Sequence, residues 1–450
     1  MSSCYSLQKA LSQFDFSAAE ILLRLQQLTG LIYLNDDDHP VIAFLPQQYQ
    51  LIQDQHTQHF IRDAAWHYQQ QSSPVALEDW VNCQNNATAP TATQFHGGWM
   101  GFVGYDYAAR QDVAAPLHAQ PALYLGQYLS FLKYEKTQGW VFYSREDYET
   151  AEHIFQKIHA LLDVDAPKTA FQLTQACQAR WSKAEYIQAF DRIIDYIRAG
   201  DCYQINLTQQ FIGQAHGLLL ETAEQFWQLT NAPYAGYLKI DDFELLSCSP
   251  ELFIDFQAQQ QIVTRPIKGT MPRYADPEQD QQSKQRLIQS EKDQAENLMI
   301  VDLLRNDLSV YAEIGSVKTN KLFEIESFEQ VHHMVSEIQA NLKSDTQPMR
   351  ILLKASPGGS ITGAPKIRAM QIIAELEQQP RGAYCGSLGY FNQDGTGRWN
   401  ILIRSVQKYQ QEISMWAGGG ITIASQAEAE YQECFDKISA MLNLLNTWQS

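Results

Sequence analysis

The chain has 450 residues, of which 45% are hydrophobic, and this is enough to bury a large core. Its formal net charge of -18 argues against nucleic acid as a ligand, because binding to phosphate backbones needs a basic surface. The seven cysteines include no C-x-x-C pair, the N-terminus does not resemble a secretory signal and no long apolar run occurs, so we expect a reduced, cytosolic protein without a membrane span.

The N-terminal third of the chain predicts a mixture of short strands and helices. Residues 97–107 read GGWMGFVGYDY, a run in which glycine would let neighbouring strands approach closely. From residue 163 the pattern loosens, which favours a linker. We therefore expect an N-terminal subdomain at 1–165 and a second, catalytic domain at 180–450.

The second part has sharper periodicity. Residues 182–200 predict an amphipathic helix that begins with a capping box at Ser182 and Glu185 and ends at Gly200. Further helices are expected at 290–308, at 362–377 and at 425–445, the last of them capped by Ser425. Strand-like segments and a hairpin turn at 392–397 separate these helices, and strands joined in this way favour an α+β fold over a doubly wound parallel sheet.

Two of the predicted helices each carry a pair of acids. Asp293 and Glu296 lie three residues apart and share one helix face. Glu430 and Glu433 do the same, with Lys437 one turn further along. If the two pairs face each other, they would form an oxygen-ligand site for Mg²⁺. The alternative is that both are solvated helix faces whose acids interact with the positive end of the helix dipole.

Several other groups have two open interpretations. The loop from Gly358 to Gly363 lacks the Gly-Lys-Ser/Thr ending of a phosphate loop, so we do not expect a nucleotide there. The glycines at 418–420 could present N–H groups to a carboxylate, or form a structural turn. Arg404, placed in an apolar strand at 400–406, needs a partner, either a substrate carboxylate or an internal acid.

Lys268, in the segment TRPIKGT, is either a solvated charge or a nucleophile. To attack an electrophile its amine must be neutral, and partial burial near other cations would achieve this. Glu251 ends the preceding strand-like segment, and if the strands pair, acid and amine meet. Together they could displace a hydroxyl group. His333, in VHHMVS, is a weak signal when considered alone.

Ten segments, taken in order, resemble the chorismate-utilising enzymes: GDCYQINLTQ, SPEL, RPIKGT, KDQAENLMIVDLLRND, VHHMVS, SPGGSITGAPK, RGAYCG, IRSV, AGGGI and EAEYQECFDK. The resemblance is strong over about 180–450 and weaker before it. It implies an α+β sandwich of two antiparallel β-sheets packed face to face, with helices outside and the active site in a cleft between the sheets.

The resemblance also implies roles for individual residues. Magnesium would be held chiefly by Glu296 and Glu433, with support from Asp293 and Glu430, and would bind the ring carboxylate of chorismate. The enolpyruvyl carboxylate would contact Tyr384, Arg404, Lys437 and the amides of Gly418, Gly419 and Gly420. Gly269, Thr270 and His333 would line the ring site, where His333 counts among the catalytic residues, and Glu251 would be the general acid.

Two positions select a branch of the family. Gln204 stands at the substrate site where relatives that add water have a lysine base, so isochorismate and salicylate synthesis are not expected. Lys268 stands where the anthranilate-forming relatives have alanine. This implies a two-step route in which Lys268 first bonds to the ring and ammonia then displaces it, giving 4-amino-4-deoxychorismate, a precursor of 4-aminobenzoate and folate.

Ammonia would come from a separate glutamine amidotransferase subunit, because we find no Cys/His glutaminase signature in this sequence. Two alternatives stay open. One is an anthranilate synthase large subunit, component I of that enzyme, which would release anthranilate and pyruvate. The other is a non-catalytic chorismate-binding or regulatory subunit.

Overall fold

The structure, a computed structural model, describes residues 5–36, 39–54, 56–72, 75–81, 94–115, 118–327, 331–344 and 346–449. Its strands are β1 Leu7–Ala10, β2 Leu31–Leu34, β3 Val41–Ala43, β4 Gln48–Gln53, β5 His56–Arg62, β6 Tyr68–Gln70, β7 Gly98–Val103, β8 Leu123–Tyr128, β9 Ser130–Glu135, β10 Gly139–Ser144, β11 Gln172–Ala179, β12 Gln204–His216, β13 Tyr234–Ile240, β14 Phe243–Ser249, β15 Leu252–Phe256, β16 Gln261–Arg265, β17 Ile267–Pro272, β18 Lys318–Ser327, β19 Val331–Asn341, β20 Gly363–Ala364, β21 Ser387–Asn392, β22 Gly397–Asn400, β23 Ser405–Tyr409 and β24 Glu412–Ile421.

The helices are α1 Ala18–Leu25, α2 Leu77–Trp80, α3 Tyr105–Ala109, α4 Tyr148–Leu162, α5 Lys183–Ala199, α6 Ala223–Thr230, α7 Pro277–Ile288, α8 Glu291–Ser309, α9 Pro348–Ala355, α10 Lys366–Glu377, α11 Ala427–Asp436 and α12 Ser439–Asn446. Short 3₁₀ turns occur at Leu219–Thr222, Ala258–Gln260 and Gly359–Ile361. Within the described residues, none of these helices is both long and apolar enough to cross a membrane.

The strands form two sheets whose paired strands all run antiparallel. The first has the order β1-β10-β9-β3-β2-β13-β14-β23-β24-β12-β11, with β20 added to β12. The second has the order β17-β19-β16-β15-β22-β21-β7-β8-β4-β5-β6, with β18 added to β19. One apolar core takes side chains from both sheets, including Ile32 and Leu245 of the first and Met100 and Leu388 of the second.

Helices cover the outer faces of this sandwich. The core outside the first sheet includes α1, α4 and α5, and the core outside the second includes α8 and α9. The expected α+β sandwich of two antiparallel sheets with external helices is therefore confirmed.

Both sheets combine strands from the N-terminal and the C-terminal parts of the chain. In the first sheet β2 lies between β3 and β13, and in the second β7 lies between β8 and β21. Residues 172–179, expected in a linker, form the edge strand β11 instead. The two sheets do not separate at the boundary between 1–165 and 180–450. The division into these two parts therefore concerns the order of the chain and stays a prediction.

The chain crosses between the two sheets at two neighbouring places. Pro250 and Glu251 join β14 of the first sheet to β15 of the second, and residues 401–404 join β22 to β23 in the opposite direction. The Ile401 N–H donates to the Glu251 carbonyl oxygen at 3.0 Å, so the crossings lie side by side. The predicted continuous strand at 400–406 is wrong, since Arg404 has a left-handed backbone with φ of 50° within the crossing.

The helix predictions are confirmed at α5, α8 and α10. At α5, Ser182 and Glu185 form the capping box and Gly200 is the left-handed C-cap with φ of 82°. The prediction of one helix over 425–445 is wrong, because the helix breaks between α11 and α12 at Lys437 and Ile438. Ser425 does not cap it, since its hydroxyl donates to Glu430 Oε1 at 2.6 Å.

Candidate active site

A cavity of about 380 Å³ lies at the two crossings and borders both sheets. It is lined by all the predicted site residues except Gln204 and Gly419, namely Glu251, Lys268, Gly269, Thr270, Asp293, Glu296, His333, Tyr384, Arg404, Gly418, Gly420, Glu430, Glu433 and Lys437. The two exceptions lie directly behind its wall. A Cβ at Gly420 would meet Gln204 Nε2 at 2.3 Å, and one at Gly419 would meet Glu430 Oε2 at 2.9 Å.

A bulge in β17 carries Lys268 to the cavity. Ile267 pairs with Val335 and Thr270 with His333, so β17 has one more residue than β19 between these two pairs. Gly269 lies in the bulge with φ of 82°, and a Cβ there would meet Asp293 Cγ at 2.9 Å. Only glycine suits both the backbone and the close approach of α8.

The pKa values of Lys268 and Glu251 are shifted toward their neutral forms. Burial, and then the nearby charge of Lys437, lower the pKa of Lys268, while Glu251, Glu296 and Glu433 oppose this shift. Burial raises the pKa of Glu251 to about 7, against the opposing charge of Lys268. Each group affects the pKa of the other, so the amine and the carboxyl lie close enough for their charges to interact.

The expected pairing of the strands that carry Glu251 and Lys268 is not the reason for this proximity. Glu251 lies in the crossing before β15, which pairs with β16 and β22, whereas β17 pairs with β19. The two residues meet because β16 and β19 place β17 at the cleft beside the crossing.

His333 lies on β19 opposite Thr270. Thr270 Oγ1 and His333 Nδ1 are 2.8 Å apart, and the histidine is 5% exposed. Burial, together with the charge of Arg404, lowers the pKa of His333 to about 4. The imidazole is therefore neutral at pH 7.

Arg404 lies at the second crossing, and its guanidinium faces the same cavity. Burial lowers the pKa of Arg404, and Cys248 and Glu251 oppose this shift when they are ionised. In the described part of the chain, no acid forms a salt bridge with Arg404 within 4.0 Å. The sequence left two possible partners for Arg404, a substrate carboxylate or an internal acid. The cavity leaves room for the first of these, an anion bound beside Arg404.

The acids of α8 and α11 line one side of the cavity, where Glu430 is buried and the side chains of Glu296 and Glu433 are 24% and 40% exposed. Burial raises the pKa of Glu296, and the charges of Asp293 and Glu433 raise it further. Burial also raises the pKa of Glu430, and Glu430 Oε2 has no hydrogen-bond partner among the described residues.

Two of these acids are already paired with lysines. Lys292 Nζ lies 3.8 Å from Glu296 Oε1. Lys437 Nζ lies 2.7 Å from Glu433 Oε1 and donates to the Gly418 carbonyl oxygen at 2.8 Å. Where the structure describes the chain, no three His, Cys, Asp or Glu side chains are grouped closely enough to hold a metal ion as they stand.

The glycines at 418–420 belong to β24 and pair with Thr208, Leu207 and Asn206 of β12. The alternative of a structural turn is therefore wrong. Gly419 leaves space for the acids of α11, because a Cβ at this position would meet Glu430 Oε2 at 2.9 Å and Glu433 Oε1 at 3.0 Å.

Besides six immediate chain neighbours of the predicted site residues, four further residues line the cavity: Asn206, Ser360, Ile361 and Trp416. Asn206 could have been found, since it lies two positions after Gln204 on one strand and therefore shares its face. Its Nδ2 donates to the Ile361 carbonyl oxygen at 2.9 Å. Trp416 could have been found in the same way, since it lies two positions before Gly418 on β24. Ser360 and Ile361 come to the cavity through tertiary packing that no local pattern indicates.

Two antiparallel sheets around a cleft with a lysine, a buried glutamate and two helix-borne acid pairs define an enzyme of the α+β sandwich class. The sequence profile described as chorismate binding enzyme matches residues 32–443, and the chain belongs to this family.

Several curated relatives carry the name aminodeoxychorismate synthase component 1. The chain is 43% identical to the one from Salmonella typhimurium over 356 residues, covering 78% of this chain and 77% of that protein. It is 40% identical to the one from Escherichia coli over 355 residues, with the same coverage. The crystal structure of anthranilate synthase component I from Streptococcus pneumoniae matches with a TM-score of 0.77 and 25% identity, over 90% of this chain and 92% of that one.

Proposed function

We propose that the chain acts as component I of an aminodeoxychorismate synthase and converts chorismate and ammonia into 4-amino-4-deoxychorismate. The observation that carries this proposal is the position of Lys268, a primary amine whose pKa is lowered, beside the carboxyl of Glu251 in one cavity. The names of relatives at 43% and 40% identity support the same choice.

In the first step, the neutral amine of Lys268 attacks the ring carbon next to the one that bears the carboxylate. The ring double bonds shift, the bond from the ring to the hydroxyl oxygen breaks, and Glu251 protonates the departing oxygen so that water leaves. Glu251 suits this task because its raised pKa of about 7 keeps a proton available near neutral pH. The product of this step is bonded covalently to Lys268.

In the second step, ammonia attacks the carbon that carried the hydroxyl, and the bond between Lys268 and the ring breaks. The ring double bonds return, Lys268 is restored as an amine and the Glu251 carboxylate accepts the excess proton. Pyruvate stays on the ring as the enolpyruvyl group. Overall, one chorismate and one ammonia are consumed, and one 4-amino-4-deoxychorismate and one water are formed.

The charges of the cavity suit a dicarboxylate. Arg404, Lys437 and Tyr384 lie on its walls and would bind the enolpyruvyl carboxylate, with the backbone of 418–420 nearby. Gly269, Thr270 and His333 would border the ring. Gln204, just behind Gly420, supplies no base, which supports amination over hydration.

The acids of α8 and α11 fit a magnesium ion. Glu296 and Glu433 would be its chief ligands, with Asp293 and Glu430 in support. The unpartnered oxygen of Glu430 and the space left at Gly419 support this assignment. When bound, the ion would neutralise the ring carboxylate of chorismate. Lys437 would then release Glu433.

Ammonia would be supplied by a glutamine amidotransferase subunit, since the named relatives are one component of a synthase. At neutral pH ammonia in water is mostly ammonium, which is not a nucleophile. Delivery from a bound partner would keep it unprotonated on its way to the ring carbon that it attacks.

The proposal is tested by incubating the pure chain with chorismate, Mg²⁺ and ammonium and identifying the products by mass spectrometry. We expect 4-amino-4-deoxychorismate, and faster formation at low ammonium when a glutaminase partner and glutamine are added. Direct formation of anthranilate and pyruvate would instead identify an anthranilate synthase. No turnover with either nitrogen source would favour a non-catalytic subunit.

A further inference from the structure

Asp106 belongs to the GYDY end of the glycine-rich segment at 97–107, and it does not line the cavity. It lies on α3 with 2% of its surface exposed. Its Oδ1 accepts from the Arg381 N–H at 3.0 Å, and its Oδ2 accepts from the Gly382 N–H at 2.9 Å. A carboxylate from the N-terminal part thus binds the backbone of a turn in the C-terminal part.

The same turn is held on its other side by Gln407 of β23. Gln407 Nε2 donates to the Arg381 carbonyl oxygen at 3.0 Å, and Gln407 Oε1 accepts from the Ala383 N–H at 2.9 Å. The Tyr384 N–H closes the turn by donating to the Arg381 carbonyl oxygen at 3.2 Å. Asp106 and Gln407 therefore bond three of the four N–H groups of residues 381–384 and the Arg381 carbonyl oxygen.

The turn ends at Tyr384, which is the residue it delivers to the cavity. The tyrosine is 6% exposed, and its ring stacks on Trp416 with the centroids 6.0 Å apart and the planes 13° apart. Because a tyrosine ring has only two side-chain torsions, its position follows closely from the backbone of the turn.

We propose that Asp106 is a positioning residue for substrate binding, which acts by fixing the turn that places Tyr384 against chorismate. The inference rests on the proposed function, because it takes the cavity as the chorismate site. Burial raises the pKa of Asp106 to about 7, and the two N–H groups of the turn oppose this shift. The turn therefore favours the carboxylate, whose oxygens are both acceptors and here each receive one N–H. An amide of the same shape would turn a donor toward one of those N–H groups.

The test is a double-mutant cycle between Asp106→Asn and Tyr384→Ala. Its readouts are kcat/KM for chorismate with ammonium and the Kd of chorismate from calorimetry. We expect Asp106→Asn to lower kcat/KM about 10- to 100-fold, the scale of a displacement of roughly 1 Å in a site. In the Tyr384→Ala background we expect the same substitution to change either quantity less than about threefold.

Glu244→Gln is the matched control. Glu244 is also buried, and its carboxylate also accepts two backbone N–H groups, from Leu219 at 3.0 Å and Leu220 at 3.1 Å, but it does not line the cavity. This variant should lower the melting temperature while leaving kcat/KM within about threefold of the unmodified chain.

Equal losses from Asp106→Asn in both backgrounds, or an equal loss of kcat/KM in Glu244→Gln, would overturn the proposal in favour of a general structural role. If Asp106→Asn does not fold, Gln407→Met provides the same cycle from the other side of the turn. Failure of the proposed function would look different, because the unmodified chain would then form no aminated product.

Discussion

At the scale of single residues, the proposed chemistry needs the pKa values of Lys268 and Glu251 to shift so that both groups can be neutral in the same cavity. A lysine in water is charged at pH 7 and a glutamate is ionised, so neither could act as nucleophile or as proton donor. In the cavity, burial lowers the pKa of Lys268 and raises that of Glu251 to about 7. Lys437 adds to the shift of Lys268, so a cation suited to binding a carboxylate also favours the nucleophile.

The nucleophilic role of Lys268 predicts the outcome of two substitutions. Lys268→Met removes amine and charge, whereas Lys268→Arg keeps a positive charge but has no neutral amine at any accessible pH. We expect both to lower the amination rate at least about 10³-fold, with chorismate binding retained within several-fold. Intact-mass spectrometry should detect a substrate adduct in the unmodified chain and in neither variant. Substantial activity in Lys268→Arg would mean that position 268 contributes only charge.

Glu251 predicts a pH-dependent effect on stability. Its pKa in the folded chain is raised from 4.5 to about 7, so the fold favours the protonated form. The protonated Glu251 contributes in full to the free energy of unfolding below about pH 4.5, and the native chain loses this contribution as pH rises through about 7. Glu251→Gln removes the ionisation and should be more stable than the native chain at pH 8.5 by on the order of 3 kcal/mol, with little difference at pH 4.5.

Urea unfolding at the two pH values measures this difference. Glu244→Gln is the control, because Glu244 is buried but accepts hydrogen bonds from two backbone N–H groups and from Tyr237. It should be destabilised at both pH values. A gain in Glu251→Gln that does not depend on pH would contradict the prediction.

At the scale of elements, the sequence predicts which segments form but not where their ends meet. Helical periodicity and caps locate α5, α8 and α10, because these signals are local. Glu251 is expected to end a strand-like segment, but the sequence does not indicate that the chain changes from one sheet to the other at Pro250 and Glu251. The bulge at Lys268 depends on β19, 63 residues away for the pair Thr270 and His333, so no local pattern indicates it.

The position of α11 predicts how its acids differ in function. Glu433 faces the cavity, whereas Glu428 on the same helix is exposed and forms a salt bridge with Lys183. We expect Glu433→Gln to weaken Mn²⁺ binding about 10- to 100-fold and to abolish Mg²⁺-dependent turnover. Glu428→Gln is the matched control and should bind Mn²⁺ within about twofold of the unmodified chain. Calorimetry with Mn²⁺ alone measures this, and unchanged affinity in Glu433→Gln would remove that residue from the ligand set.

At the scale of the whole molecule, the α+β sandwich follows from the family resemblance and is confirmed, but the mixing of chain halves was not predictable. The glycine-rich run at 97–107 indicates that strands approach closely at β7, but it does not name their partners. β2 pairs with β13, and β7 pairs with β21 more than 280 residues later, as in the pair Val103 and Ser387. Fold-level prediction from local pattern fails at such contacts because their sequence separation is large.

This mixing predicts that neither part of the chain folds alone. A fragment of residues 167–450 would leave β13 without β2 and β21 without β7, and would expose the core between the sheets. We expect it to aggregate or to unfold without a cooperative transition, as should 180–450, which also lacks β11. Comparing the two separates loss of the edge strand from loss of the internal ones.

Co-expression of 1–166 with 167–450 should restore a soluble, active complex, because the missing strands are then supplied in trans. Sedimentation and circular dichroism provide the measurement, and a monomeric 167–450 with a single cooperative melt would show that residues 167–450 are an independent domain after all.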